Sequence, residues 1–252
     1  MSKLVRQYLI VTFAVMAICW GICVLFSLCG ISLTEIPLLY IPYLLGGLSP
    51  TIASYISAEK KNCKVHGFKE WLIGIFDFKH NIFSYLLLPM LAGLFFFCLC
   101  SISGYESGAP LIALVVMIPM MLFGGGLEET GWRGILQPEL EKKYGYTIAT
   151  ILVAIIWWLW HLPLFFINGV SQYGADFISF GINVIGLSFA LSAIKKLTNS
   201  TFLCILFHCI INSLHGVYIV GENILGNCTA AFVLISASYF FVWIQKKKQI
   251  FA

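Results

Sequence analysis

Apolar residues in this chain gather into eight long runs separated by short polar connections. The runs extend from about Tyr8 to Cys29, Pro37 to Ala58, Ile82 to Ser103, Pro110 to Gln137, Thr147 to Ile167, Phe177 to Ile194, Thr201 to Val220 and Ile224 to Ile244. A helix needs about 20 mostly apolar residues to cross the hydrocarbon core of a bilayer. The pattern therefore predicts an all-α, polytopic membrane protein of about eight transmembrane helices, with residues 1–252 as a single integral membrane domain. The first run follows Lys3 and Arg6 as a signal peptide would. It exceeds the ~7–15 residues of a signal h-region and no A-x-A-like site follows it, so it is expected to be a retained anchor. The connection from about Glu59 to His80 carries Lys60, Lys61, Lys64, Lys69, Lys79, Glu70 and Asp77 and is predicted to lie at the membrane surface.

Charge tests this topology independently, because Lys and Arg concentrate in cytoplasmic loops. Eight spans put both termini on one side, together with Lys3, Arg6, the lysines of the long connection, Lys142, Lys143, Lys195, Lys196, Lys246, Lys247 and Lys248. The opposite loops, around Thr34-Glu35, Gly104–Ala109, Asn168–Asp176 and Gly221–Asn223, hold no Lys or Arg. Only Arg133 remains, inside an apolar run. The expectation is an integral multi-pass protein of a prokaryotic cell membrane with both termini cytoplasmic. Composition agrees, with 60% hydrophobic residues, 10% charged and a mean hydropathy of +0.93. The net charge of +4 is accounted for by membrane orientation, so no nucleic-acid partner is inferred.

The nine cysteines lie mostly within apolar runs and form no C-x-x-C pair, which favours buried thiols over a disulfide scaffold or thiolate metal cage. Asn199-Ser200-Thr201 and Asn227-Cys228-Thr229 match the glycosylation pattern but abut predicted helices, where capping is the expected role.

The chemistry concentrates at Glu128-Glu129-Thr130-Gly131-Trp132-Arg133, inside the fourth run. A charged side chain near the bilayer centre costs roughly 2.5–3.5 kcal/mol on insertion scales, so such groups pair with one another and face a protein interior or a wet cavity. At ~1.5 Å rise per residue the two glutamates lie on the order of 15–20 Å from the boundary set by Lys142. On the same arithmetic His161 is roughly 20–25 Å in from Tyr146, and His208 and Asn212 about 15–20 Å beyond Asn199. Three helices bring polar groups to a similar depth, which predicts a central intramembrane polar cavity.

Spacing assigns faces. Glu129 and Arg133 are four apart with the acid first, the favourable order for a same-face ion pair. Glu128 is turned about 100° from its neighbour and is free to address another helix. His208 and Asn212 share a face and can donate hydrogen bonds toward one point. Trp157 stands one turn before His161 and can pack on its ring. A carboxylate beside a histidine in a partly dry site can deprotonate a water, and a tetrahedral oxyanion formed by that water needs prepositioned donors. Gly124-Gly125-Gly126 allows close backbone approach, by a helix or by an extended peptide. His215 has no motif support and is expected to pack, and Asn183 and Ser188 are expected to form interhelical hydrogen bonds.

Glu128, Glu129 and Arg133 as E-E-x-x-x-R, Trp157 and His161 as aromatic-x-x-x-His, and His208 and Asn212 as H-x-x-x-N resemble the three ordered motifs of the CAAX-protease and bacteriocin-processing (CPBP, or Abi) family of intramembrane endopeptidases. The resemblance covers roughly Met117 to Ser213. It implies a glutamate-dependent protease with Glu128 and His161 activating water, His208 and Asn212 forming the oxyanion site, and Glu129 and Arg133 mainly structural. The second motif usually begins with Phe, whereas this chain has Trp157. The implied partner is a peptide or protein substrate in the bilayer, lipidated or transmembrane, and the oligomeric state is left open. Some members of the family remove the last three residues of prenylated CAAX proteins, and others are linked to bacteriocin self-immunity. No cofactor is expected. Zinc on Glu128, His161 and His208 is chemically plausible by ligand type, but H-E-x-x-H is absent. The alternative function is a non-catalytic binding, immunity or transport protein that uses the same polar cavity.

Overall fold

The computed structural model of this chain describes residues 2–61 and 67–248. Helix α1 (Lys3–Leu28) is capped by Ser2, whose hydroxyl accepts the Val5 amide. Next come α2 (Tyr40–Gly47), α3 (Ser49–Lys61), α4 (Phe68–Ile75) and α5 (Ile82–Ser103), the last capped by Asn81. A short helix, α6 (Leu114–Met120), precedes the irregular stretch that carries the glutamates and contains α7 (Glu129–Gly131). Helices α8 (Gln137–Trp160), α9 (Phe177–Thr198), α10 (Thr201–Val217) and α11 (Ile224–Lys248) complete the chain. By length and composition, α1, α5, α9, α11 and the stretch Gly126–Phe166 can each cross a membrane, whereas Leu111–Met120 and Thr201–Val217 are apolar but shorter. The protein is an all-α polytopic membrane protein.

All eight apolar runs are helical in the structure, but not as eight straight rods. The second run breaks at Leu48 between α2 and α3. The fourth breaks after α6, where turns replace the helix before the glutamates. The cause of the second break lies in its sequence, since Gly125 holds φ 134°, a conformation that side-chain-bearing residues rarely adopt.

The stretch Gly126–Phe166 is a hairpin. The Gln137 Nε2 donates to Thr150 Oγ1 at 3.2 Å. Residues that far apart in sequence would stand about 20 Å apart in one continuous helix. Gly145, at φ 75° and ψ 172°, supplies the reversal, so the fourth and fifth runs lie antiparallel with Lys142 and Lys143 at their turn.

One end of the bundle is basic. A cavity there brings Lys79 near Lys196 and Gln245, and a second brings Lys142 near Lys195 and Lys196. At the far ends of α5 and α10 a small ladder forms, in which β1 (Tyr105–Ser107) pairs antiparallel with β2 (Tyr218–Val220), Tyr105 opposite Val220. The hydropathy pattern gave no sign of these strands. Tyr105 and Tyr218 meet edge to face at 5.3 Å, an aromatic contact that fastens the two loops.

The long connection contains α4, which turns Trp71 inward against Tyr55 at 5.5 Å. Lys69 and Lys79 are exposed, while Lys64 and the side chains of Lys60 and Lys61 lie outside the described residues. All described cysteines are free. Asn199 ends α9 in the left-handed conformation, and Ser200 caps α10. Asn227 does not cap. It lies within α11 and accepts from the Asn183 amide at 3.0 Å, while Asn223 receives the Leu225 and Gly226 amides. Asn183 thus forms the interhelical bond expected of it. His215 packs edge-on to Phe96 at 4.9 Å.

Helices α9 and α11 pack through small residues. A Cβ on Gly186 would stand 2.6 Å from Ala231 Cα, and Ala190 and Ala230 are fully buried nearby. Small residues let helix backbones approach closely where lipid offers no hydrophobic drive. Gly186→Val should therefore destabilise the protein by about 1–3 kcal/mol, seen as a lower melting temperature in detergent micelles. Gly93→Ala, where the added carbon meets nothing within 4 Å, is the control. Equal melting of both variants would show that this contact does not hold the two helices.

Candidate active site

Each site residue is set in place by a different departure from regular helix. After the Gly125 turn the chain winds as a tight helical turn over Gly126–Glu128, an α turn at α7, and a wide π turn over Trp132–Leu136. Such switches release backbone carbonyls, and in a membrane interior neighbouring side chains must satisfy them. Helix α3 does so: Thr51 Oγ1 donates to Leu127 O at 2.8 Å, and Ser54 Oγ donates to Thr130 Oγ1 at 3.1 Å. Thr130 Oγ1 itself donates to Leu127 O at 2.7 Å.

Glu129 and Arg133 are fully buried and paired at 3.1 Å, the ion pair expected from their spacing. Arg133 Nη2 also donates to Ser188 Oγ at 2.8 Å, so Ser188 forms an interhelical bond as expected. The second Glu129 oxygen accepts from His208 Nδ1 at 2.9 Å. A carboxylate can only accept here, so Nδ1 carries the proton and Nε2 is the atom left for other partners.

Glu128 is 7% exposed and does address another helix. Its Oε2 accepts from the Trp157 indole at 2.9 Å and from the Trp132 indole at 3.3 Å. Trp157 was expected only to pack against His161, yet it also contacts Glu128, Arg133 and His208. Arg133 Cζ lies 5.1 Å from its ring centroid, the His208 ring meets it edge-on at 5.4 Å, and its main-chain oxygen accepts from His161 Nδ1 at 2.8 Å. The His161 ring also contacts it at 5.7 Å. Among the described residues, no hydrogen bond joins Glu128 to His161 directly, and Trp157 links them. Neither indole was foreseen as a donor. The signal was available for Trp132, which sits four residues after Glu128 and so shares its face.

His208 and Asn212 converge as their spacing predicts. A Cβ built on Gly125 would meet Asn212 Nδ2 at 2.6 Å and His208 Nε2 at 2.7 Å. The Asn212 amide donates to Gly124 O at 2.8 Å, which leaves it a second N–H. The glycine run thus brings backbone against this pair of nitrogens. Glu128, His161 and His208 do not assemble as a metal-ligand set. No group of three or more His, Cys, Asp or Glu suited to a metal occurs among the described residues, and both Nδ1 atoms are occupied.

Residues 110–214 match the family model described as type II CAAX prenyl endopeptidase Rce1-like. Over 106 residues the chain is 34% identical to CAAX prenyl protease 2 of Methanococcus maripaludis, a stretch that covers 39% of this chain and 39% of that relative. The family match encloses both glutamates, both site histidines and Asn212. This core, residues 110–214, is similar to the type II CAAX prenyl endopeptidases, and the chain spans about two fifths of the length of the relative it matches.

Proposed function

We propose that this protein is an intramembrane endopeptidase that hydrolyses a peptide bond near the C-terminus or juxtamembrane end of a membrane-associated substrate. The observation that carries this reading is a buried carboxylate, Glu128, oriented by two indoles beside two histidines whose free nitrogens are fixed by their Nδ1 contacts. A CAAX-type C-terminus is the substrate favoured by the matched family and by the name of the archaeal relative. Bacteriocin processing is the second substrate class.

In the proposed mechanism a water lies between Glu128 and His161. With its Nδ1–H hydrogen-bonded to Trp157 O, neutral His161 presents the Nε2 lone pair, which accepts a hydrogen bond from one O–H of the water and orients the nucleophile without taking its proton. Glu128 removes the other proton as the water oxygen bonds to the scissile carbonyl carbon. Negative charge moves to the carbonyl oxygen, where Asn212 Nδ2 and a protonated His208 Nε2 donate to it. Collapse breaks the C–N bond, and the proton held by Glu128 passes to the departing amine. Glu128 and Glu129 against Arg133 and protonated His208 sum to zero charge, which suits a dry site. No metal takes part in this route.

Glu128→Gln should lower cleavage of a prenylated CAAX peptide at least ~10²–10⁴-fold, the usual contribution of a general base, while the protein inserts and melts normally. Full activity in that purified variant would sink the proposal. Chelator should leave the wild type active, and inhibition reversed by Zn²⁺ would favour a metal mechanism instead.

Trp157→Phe keeps an aromatic ring, the usual one of the family, but removes the 2.9 Å bond to Glu128. A hydrogen bond to a charged group is worth about 1.5–3 kcal/mol, so kcat should fall about tenfold or more while KM changes little. An unchanged kcat would make the indole bond incidental.

The lysine-bearing end is proposed to face the cytoplasm of a prokaryotic cell, with both termini on that side. A reporter joined after Lys247 should be active only in the cytoplasm, and activity outside would reverse the topology.

A further inference from the structure

Helix α10 carries a third polar residue on the face that holds His208 and Asn212. His215 follows Asn212 by three residues and His208 by seven, which is two turns with only about 20° of drift. Exposure rises along this line, from His208 at 7% through partly buried Asn212 to exposed His215. One side of the His215 ring lies against two buried phenyl rings of α5, Phe95 at 6.2 Å and Phe96 at 4.9 Å. These are its ring contacts among the described residues, and they offer no hydrogen bond to either imidazole nitrogen. The face thus forms a track from the proposed oxyanion donors to an imidazole whose polar atoms are unclaimed.

The track has flanks and an end. On one flank Gly216 packs against the Met117 methyl of α6, and on the other α5 supplies Phe95 and Phe96. Immediately beyond His215 the helix gives way to β2. There the Ala109 and Gly108 amides donate to Gly216 O and Val217 O at 2.9 and 2.8 Å, and Tyr218 meets Phe96 at 5.9 Å. Distance then gives the track a length. Seven residues of α-helix rise about 10 Å, and an extended peptide advances about 3.3 Å per residue. Three residues beyond a carbonyl held by His208 and Asn212 would therefore end level with His215. A carboxylate brought to such a partly dry place needs a donor or a counter-charge. Imidazole provides the first as an N–H and the second by taking up a proton.

We propose that His215 binds the C-terminal carboxylate of the substrate, which lies extended along α10 with its scissile carbonyl at His208 and Asn212. The proposal rests on the peptidase reading and adds a specificity to it: the preferred substrate ends in a free carboxylate about three residues past the cleaved bond. His215 takes no part in bond breaking. It selects the terminus and so sets which peptide bond reaches Glu128.

The full chain, purified in detergent micelles, is given two prenylated peptides that differ only at the terminus, one a free carboxylate and the other a carboxamide, each with three residues beyond the cleaved bond. The wild type should cleave the acid with a kcat/KM at least about tenfold above that of the amide, the size expected for a hydrogen bond to a charged group. His215→Leu should remove this preference by lowering cleavage of the acid, chiefly through KM, with its melting temperature as the check on folding. Affinities of the same two peptides are measured in parallel with Glu128→Gln, alone and combined with His215→Leu, so that nothing is consumed. The acid should bind at least about tenfold more tightly only where His215 is present. Equal treatment of acid and amide by the wild type overturns the carboxylate site. So does an equal loss on both peptides in His215→Leu, which would reduce the residue to a packing partner of α5. Failure of the wild type to cut either peptide would count against the peptidase reading, whereas the affinity comparison decides the carboxylate site by itself.

Discussion

Arg133 is a guanidinium with no solvent exposure, inside an apolar stretch of a membrane protein, and the surrounding structure is arranged around neutralising it. Removing a partner from such a buried pair typically costs about 3–5 kcal/mol, because the remaining charge is stranded. Glu129 provides the counter-charge, Ser188 a hydroxyl from α9, and Trp157 a ring face from the second arm of the hairpin. The other oxygen of Glu129 holds His208 on α10. One ion pair thereby joins the irregular stretch, the hairpin, α9 and α10, so the residues proposed for catalysis are held by a network that has to form for the bundle to fold.

The backbone around the glutamates follows from the same requirement. A regular helix would keep every N–H and C=O within itself and would present Glu128, Glu129 and Arg133 on one fixed spiral. The tight turn, α turn and π turn instead re-aim successive residues, yet Glu128 still reaches Trp132 and Glu129 still reaches Arg133. Carbonyls freed by these changes need hydroxyl partners, and α3 brings Thr51 and Ser54 to the place where Leu127 and Thr130 need them. Aromatic rings fill the space beneath. Trp160 donates to Ser49 at 3.1 Å and lies 4.5 Å from Trp20, 5.8 Å from Trp132 and 4.8 Å from His161, so α1 and α3 back the site through this ring.

Hydropathy and residue spacing made much of this legible. Apolar run length marked the helices, and four-residue spacing alone paired Glu129 with Arg133 and aligned His208 with Asn212. Breaks inside apolar runs were harder to read, because Leu48 and the turn after α6 are as hydrophobic as the helices they interrupt. The Glu128 partners were also hidden. Tryptophan in an apolar run registers as bulk, and its single N–H becomes informative only when the tertiary fold brings a buried carboxylate to it. The β1–β2 ladder depends on two loops more than a hundred residues apart meeting at one end of the bundle, which no local pattern encodes.

The two site histidines look interchangeable by type and burial, yet their Nδ1 partners separate them. His161 stands where α8 ends, just ahead of Pro163, which has no amide to extend the helix. Its own amide tightens onto Trp158 O at 3.1 Å, and its Nδ1 takes Trp157 O. A neutral carbonyl fixes the ring tautomer, so Nε2 of His161 carries the lone pair. The Nδ1 of His208 faces the Glu129 carboxylate instead. Helix termination at one histidine and a buried acid at the other therefore place the same side chain in two different surroundings. The proposed water-orienting and oxyanion-donating roles rest on that difference.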